Sequence, residues 1–312
     1  MRVFRSPDYK FTNARKLGYI ISSTLILISI ISIIIHGGPR YSVDFRGGTF
    51  MEIRFEDKQD PEKLLNIEIS RVRGVFNDFG MGTAEIKHYG SNQEIAARAD
   101  VIENTDQLFH DVVVKLSQQF PQYNVIEMRK ETVGPKVGKE LVWAALLAIF
   151  WAIIFILIYI MWRFELRFGI GAVLALIHDV IITVGIFSVL NIEISIAIVA
   201  ALLTIVGYSL NDTIVVFDRI RENLKALKRQ AFDYANVVNR SINETLSRTV
   251  VTSGTTLVVV LVLFFFGGEV IKDFAFALIC GIVVGTYSSI FVASPILIEF
   301  ENIKFSKRKS GK

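Results

Sequence analysis

The sequence holds one cysteine, six prolines and four histidines in 312 residues. A lone cysteine excludes an intrachain disulfide and any multi-cysteine metal centre. Cys280 lies inside an apolar run, where a thiol behaves as a small buried hydrophobe. The histidines, His36, His88, His110 and His178, are scattered, and no His-Glu-x-x-His is present, which excludes a zinc-peptidase helix and leaves no metal site to expect. Charge of one sign is also scarce: 34 Lys and Arg face 30 Asp and Glu, a formal excess of four. So small an excess builds no basic surface for nucleic acid. The single Arg46-Gly47-Gly48 reads as a turn before a strand, not as an RNA-binding repeat.

What is plentiful is apolar. Hydrophobic residues make up 52% of the chain, Phe alone numbers 24, and the mean hydropathy is +0.47, above the usual range for a soluble domain. Uncharged apolar runs occupy about 17–35, 141–161 and 274–298, each long enough to cross about 30 Å of hydrocarbon at ~1.5 Å per residue. Three more, about 168–190, 194–217 and 249–266, are as apolar except for His178, Asp179, Asp212 and the flanking Arg248. The expected fold is therefore an α-helical integral membrane protein with six spans.

Lys and Arg in short connections set orientation, because basic loops stay on the cytoplasmic side. Arg2, Arg5, Lys10, Arg15 and Lys16 precede the first span, Arg163 and Arg167 separate the second from the third, and Arg219, Arg221, Lys225, Lys228, Arg229 and Arg240 lie between the fourth and fifth. Lys304, Lys307, Arg308, Lys309 and Lys312 form a basic tail, whereas the third-to-fourth connection has no Lys or Arg and the fifth-to-sixth only Lys272. Both ends are expected to be cytoplasmic, the tail serving most simply as a positive-inside anchor, with contact to ribosome or anionic lipid the lesser reading. The first run is longer than a signal h-region and lacks a small-residue cleavage site, so it is read as a retained anchor.

The chain divides accordingly into a cytoplasmic segment 1–16, the first span 17–35, an extracytoplasmic domain with its linkers 36–140, spans two to six within 141–299, and the tail 300–312. Within 36–140, strand-like stretches at Thr49–Phe55, Ala84–Tyr89, Glu94–Val101 and Tyr123–Lys130 alternate with helical ones at Pro61–Phe79 and Thr105–Phe120. The order β-α-β-β-α-β is that of an α+β ferredoxin-like unit. Residues 218–247 read as an amphipathic helix along the cytoplasmic membrane surface, with Leu224, Leu227, Phe232, Val237, Val238 and Ile242 on it.

An ionisable group inside the bilayer costs a few kcal/mol or more and marks a functional site by default. Asp179 sits mid-run beside His178, and Asp212 sits about two turns from the cytoplasmic end of its run, with Ser209, Asn211 and Thr213 around it. Arg248, Thr252 and Ser253 open the next run at similar depth, so a charge pair between Asp212 and Arg248 is geometrically available. Two readings of these groups stand side by side. One is proton binding, with burial and a mobile guanidinium pulling the carboxyl in opposite directions. The other is static helix glue through hydroxyl bonds and a buried ion pair. Intramembrane proteolysis by two aspartates is not expected, because Asp179 and Asp212 differ in depth and no Gly-x-Gly-Asp surrounds either. Gly281 and Gly285 form a Gly-x-x-x-Gly packing face in the last run, and Pro295 is expected to kink or end that helix.

These motifs resemble the SecF family, the smaller membrane subunit of the bacterial SecD–SecF export complex, over nearly the whole chain. The resemblance rests on Val43-Asp44-Phe45-Arg46-Gly47-Gly48-Thr49, on Val133-Gly134-Pro135-Lys136-Val137-Gly138, on His178-Asp179, on the stretch Gly207 to Asn223 and on Leu246 to Ser253. It implies half of a resistance-nodulation-division-like (RND) bundle paired with SecD, located in the inner membrane and associated with SecYEG and YajC. It further implies a protein without covalent catalysis or cofactor that uses the proton-motive force to draw an unfolded preprotein outward, with Asp212 and Arg248 as the coupling pair. A sodium gradient, a purely structural role in the translocon, and export of small molecules are the alternatives it leaves.

Overall fold

The computed structural model describes residues 8–100, 103–227 and 232–310. Arg2, Arg5, Lys228, Arg229, Lys312 and Val101, invoked above, lie outside these, as do the side chains of Lys304, Lys307, Arg308 and Lys309. The chain separates into two compact units, residues 41–146 and the remainder.

In the first unit a one-turn helix α2 (Val43–Arg46) precedes β1 (Gly48–Asp57), α3 (Ile69–Asp78), β2 (Glu85–Tyr89), β3 (Ser91–Ala99), α4 (Thr105–Gln119) and β4 (Tyr123–Val133). The sheet order is β2-β3-β1-β4 with every neighbour antiparallel, the split arrangement that the β-α-β-β-α-β order predicts. Alternation sorts its faces. Met51, Ile53 and Phe55 on β1 and Ile95 and Ala97 on β3 join Val72, Phe76, Phe109, Val112 and Leu116 from the helices in one core, while Arg54 turns the other way and donates to Glu94 at 2.7 Å. The register jumps from Glu52–Arg129 to Ile53–Glu127, which makes Met128 the extra residue of a β-bulge.

The helix expected from Pro61 begins only at Ile69. Leu65 and Ile67 are both buried, and Ile67 N–H donates to Asn92 O at 3.1 Å. Apolar residues at a spacing of two anchor an extended lead-in, and that burial outweighs helix propensity there.

The two glycine motifs at either end of this unit meet. Gly47, at φ 82°, lies where a Cβ would come within 2.9 Å of Pro135 Cα, and a Cβ on Gly138 would come within 2.6 Å of Phe45 O. Only glycine permits so close an approach of two backbones in that conformation.

Among the described residues six helices are long and apolar enough to cross a membrane. They are α1 (Arg15–Ile35, led by a 3-10 turn at Phe11–Ala14), α5 (Pro135–Arg163, begun in the first unit), α6 (Leu166–Val189), α7 (Ile196–Ala226), α8 (Tyr234–Phe266), and a composite of α9 (Glu269–Ser288), a π turn (Ser289–Ala293) and α10 (Ser294–Ser310). Their faces are sorted inversely to those of a soluble bundle. On α1 the buried positions are Gly18, Ser22, Ser29 and Ser32, while Ile20, Leu27, Ile34 and their neighbours are exposed. Small and hydroxylated residues let helices approach closely where lipid supplies no hydrophobic drive. On α5 none of the apolar window is buried within the chain.

Residues 218–247 do not form a separate surface helix. Its first part continues α7 to Ala226 and its second belongs to α8 from Tyr234, because Ile220, Val238 and Ile242 are buried in the same core as Phe217 and Leu246. Asn239 and Asn243 on this stretch of α8 hold the chain ahead of α1, both donating to Tyr9 O, at 3.0 and 2.8 Å. Pro295 does not end the last helix, which runs on to Ser310. The π turn at Ser289–Ala293 widens the backbone where the proline ring would otherwise strike the carbonyl four residues back.

Candidate functional site

Helices α6, α7, α8 and α9 bring two carboxylates into the apolar bundle. The first is Asp179 on α6, 1% exposed. Its Oδ1 is 2.8 Å from His178 Nδ1, and its Oδ2 accepts from Ser209 on α7 at 2.6 Å and from Ser288 on α9 at 2.8 Å. His178 Nε2 lies 3.0 Å from Ser22 Oγ on α1, and Ser22 Oγ lies 3.1 Å from the hydroxyl of Tyr287, which donates to Gly18 O at 2.8 Å. The His178 and Tyr287 rings stack at 6.2 Å. Helices α6, α7 and α9 thus converge on one carboxylate whose acceptor sites are filled, with α1 joined to it through His178, the condition for keeping a charge or a proton in an apolar interior.

The second is Asp212 on α7, 2% exposed. Its Oδ2 accepts from Ser253 on α8 at 2.8 Å, and Ser253 accepts from Thr286 on α9 at 2.9 Å. Thr213 is buried beside it, while Asn211 is exposed and Thr252 is half-buried, its hydroxyl bonded back to Arg248 O at 3.0 Å. Arg248 is exposed on α8. Among the described residues the hydrogen bond to Asp212 comes from Ser253, and no ion pair joins Asp212 to Arg248. Ser209, three residues before Asp212, serves Asp179 instead.

Close approach of α7 and α9 places these groups. A Cβ on Gly281 would fall 2.2 Å from Ile205 Cγ1, and one on Gly285 would fall 2.9 Å from Ser209 Cβ. Each glycine therefore admits an α7 side chain, and Ser209 and Ser288 reach the same oxygen as a result. Ser22, Thr286, Tyr287 and Ser288 escape the sequence reading. Hydroxyl residues in spans often bond only to their own helix's i−4 carbonyl, and nothing in their local spacing marks these as partners of a distant carboxylate.

The fold and these two nests define a six-span membrane protein with buried carboxylates and one inserted α+β domain. The family model described as "Protein export membrane protein SecD/SecF, C-terminal" matches residues 112–303. The chain is 43% identical to the protein translocase subunit SecF of Rhodothermus marinus, covering 99% of this chain and 98% of that one. It is 46% identical to the SecF of Desulfurispirillum indicum, covering 92% and 90%. A crystal structure of SecDF from Thermus, titled a translocon-associated membrane protein, superposes with a TM-score of 0.82 at 38% identity over 95% of this chain, and this chain spans 39% of that longer one. The chain belongs to the SecD/SecF protein-export family and is a protein translocase subunit of the SecF kind.

Proposed function

We propose that this chain joins SecD at the SecYEG channel with YajC and uses the proton-motive force to draw an unfolded preprotein outward late in translocation. On this reading both ends are cytoplasmic, the domain at 36–140 is extracytoplasmic in the bacterial inner membrane, and no covalent chemistry or cofactor is involved. The basic residues concentrated in alternate connections support that orientation.

The observation that carries the proposal is Asp212, a carboxylate 2% exposed in a span, bonded to a hydroxyl, with the exposed guanidinium of Arg248 on the helix that supplies that hydroxyl. Protonated, Asp212 asks for no counter-charge. Ionised, it attracts Arg248, and α8 moves with it. Ala200, Thr204, Gly207 and Asn211 are exposed along α7 at helical spacing, a small and polar face unsuited to lipid, which supports a covering by the helices of SecD. Asp179 and His178, the other proton-coupling candidates, are bonded into a separate nest.

Preprotein release from vesicles carrying the wild type or Asp212→Asn, with proton and sodium gradients imposed separately, tests the proposal. Proton-driven release in the wild type, lost in a variant still inserted and bound to SecD, is expected. Unchanged release in the variant would leave the chain a structural stabiliser, and release driven only by sodium would replace the coupling ion.

A further inference from the structure

The hydrogens around His178 can be counted. Four contacts run in series: Asp179 Oδ1 to His178 Nδ1 (2.8 Å), His178 Nε2 to Ser22 Oγ (3.0 Å), Ser22 Oγ to Tyr287 OH (3.1 Å), and Tyr287 OH to Gly18 O (2.8 Å). Each needs one hydrogen between its two atoms. The carbonyl supplies none, and the two hydroxyls supply one each. Asp179 Oδ2 is occupied as acceptor by Ser209 and by Ser288, whose one hydrogen takes the shorter of its two contacts, 2.8 Å against 3.1 Å to Gly285 O on its own helix, and both serines use their own hydrogens. The remaining two hydrogens belong to the His178–Asp179 pair, as imidazolium beside carboxylate or as neutral imidazole beside carboxylic acid. Both forms have zero net charge, the state least opposed by an apolar surrounding.

We propose that His178 and Asp179 form a second proton-binding site, electrically neutral in this conformation, whose loss of one proton breaks a hydrogen bond between α1 and α9. After that loss three hydrogens remain for four contacts. Nδ1–H keeps Asp179, and Nε2 becomes an acceptor and takes the Ser22 hydrogen, since an imidazole nitrogen is a better acceptor than a phenol oxygen. Tyr287 then has one hydrogen for Ser22 and Gly18 together, both on α1, so one of those two bonds opens. The Ser22–Tyr287 contact is the longest of the four at 3.1 Å. The π turn begins at Ser289, two residues beyond Tyr287, and its irregular backbone is where the last span can absorb the change.

Titratable groups with described side chains elsewhere on these elements are Arg15, Lys16 and Tyr19 on α1, Arg167 on α6, Tyr208, Asp212, Asp218, Arg219, Arg221, Glu222 and Lys225 on α7, Lys272, Asp273 and Cys280 on α9, and Glu299 and Glu301 on α10. Among the described residues the side-chain hydrogen bonds and ion pair of His178 and Asp179 run to one another and to Ser22, Ser209 and Ser288, none of the groups just named. The switch therefore rests on the pair, Ser22 and Tyr287, and it goes beyond the role proposed for Asp212 without depending on it.

Infrared difference spectra across pH, recorded on the full chain bound to SecD in lipid nanodiscs, test this. One titration is expected that both Asp179→Asn and His178→Gln remove, with a tyrosine ring C–O band shifting in step. Tyr287→Phe and Ser22→Ala each remove one hydrogen bond favouring the neutral pair, so each weakens its hold on the proton about five-fold. Ser22→Thr, which keeps the hydroxyl, restores it, and Asp212→Asn leaves the titration in place. No titration sensitive to both members of the pair, or a tyrosine band that stays fixed throughout it, overturns the proposal. So does a titration that vanishes in Asp212→Asn.

Discussion

Ser209 places its hydroxyl hydrogen on Asp179 at 2.6 Å, and three residues further along the same helix stands Asp212. The two nests therefore share α7 as a rigid body, and a rotation of α7 that changes the partner of Asp212 also draws Ser209 from Asp179. Ser209→Ala removes one buried hydrogen bond and leaves Ser288 and His178 in place. A loss of about 0.5–1.5 kcal/mol is expected, read as a lowered melting temperature of the purified complex, and on the function proposed above proton-driven export is reduced but not abolished.

The α7–α9 seam depends on Gly281. Alanine there puts a Cβ 2.2 Å from Ile205, so the helices must part or Ile205 must shift, at a cost of about 1–3 kcal/mol. Ile205→Ala in the same chain gives the new methyl room. The double variant is expected to melt above the sum of the two single effects, a coupling that thermal denaturation of all four proteins measures.

In the inserted domain the clasp of the two motifs is tested by glycine substitutions. Gly47→Ala combines a positive φ of 82° with a 2.9 Å approach to Pro135, and about 1–3 kcal/mol of destabilisation is expected. Gly138→Ala meets Phe45 O at 2.6 Å and is expected to behave alike. Gly134, with nothing within 4 Å and no such backbone restriction, is the internal control. Hydrogen exchange of β1 and β4 in the full chain rises in the first two variants and not in the third.

Asp57, at the end of β1, accepts from the Gln59 backbone N–H at 2.9 Å with Lys63 behind it. Chiefly that backbone bond holds its carboxyl below the usual carboxylate range. A folded-state pKa below the unfolded one contributes stability above the unfolded value, and the contribution is lost as pH falls through the folded value. The difference in melting temperature between wild type and Asp57→Asn is therefore expected to shrink as pH is lowered through the acid range.

The spans and the inserted domain were legible because both follow from local pattern. A run of uncharged apolar residues long enough for the bilayer has few other fates, and alternation in β1 and β3 sorts core from surface by a period of two. Element ends were less so. Pro61 opens no helix because Leu65 and Ile67 bury in extended form, and the polar stretch after Phe217 forms parts of two long helices because Val238 and Ile242 join their core. Pro295 sits within a helix because a π turn precedes it.

Composition and order alone therefore determined that this chain crosses a membrane, that one α+β domain interrupts the crossings, and that His178, Asp179 and Asp212 are the costly groups inside. Each is a property of a segment and its solvent. Which hydroxyl serves which carboxylate was decided only by the tertiary structure, because hydrogen bonds between helices depend on rotation and depth that no single helix specifies. Ser209 turns to Asp179, Ser253 to Asp212, and Ser22 and Tyr287 complete a chain from residues 265 apart in sequence. The six spans remain as hydropathy placed them, but the polar groups within them divide into two separately bonded sites.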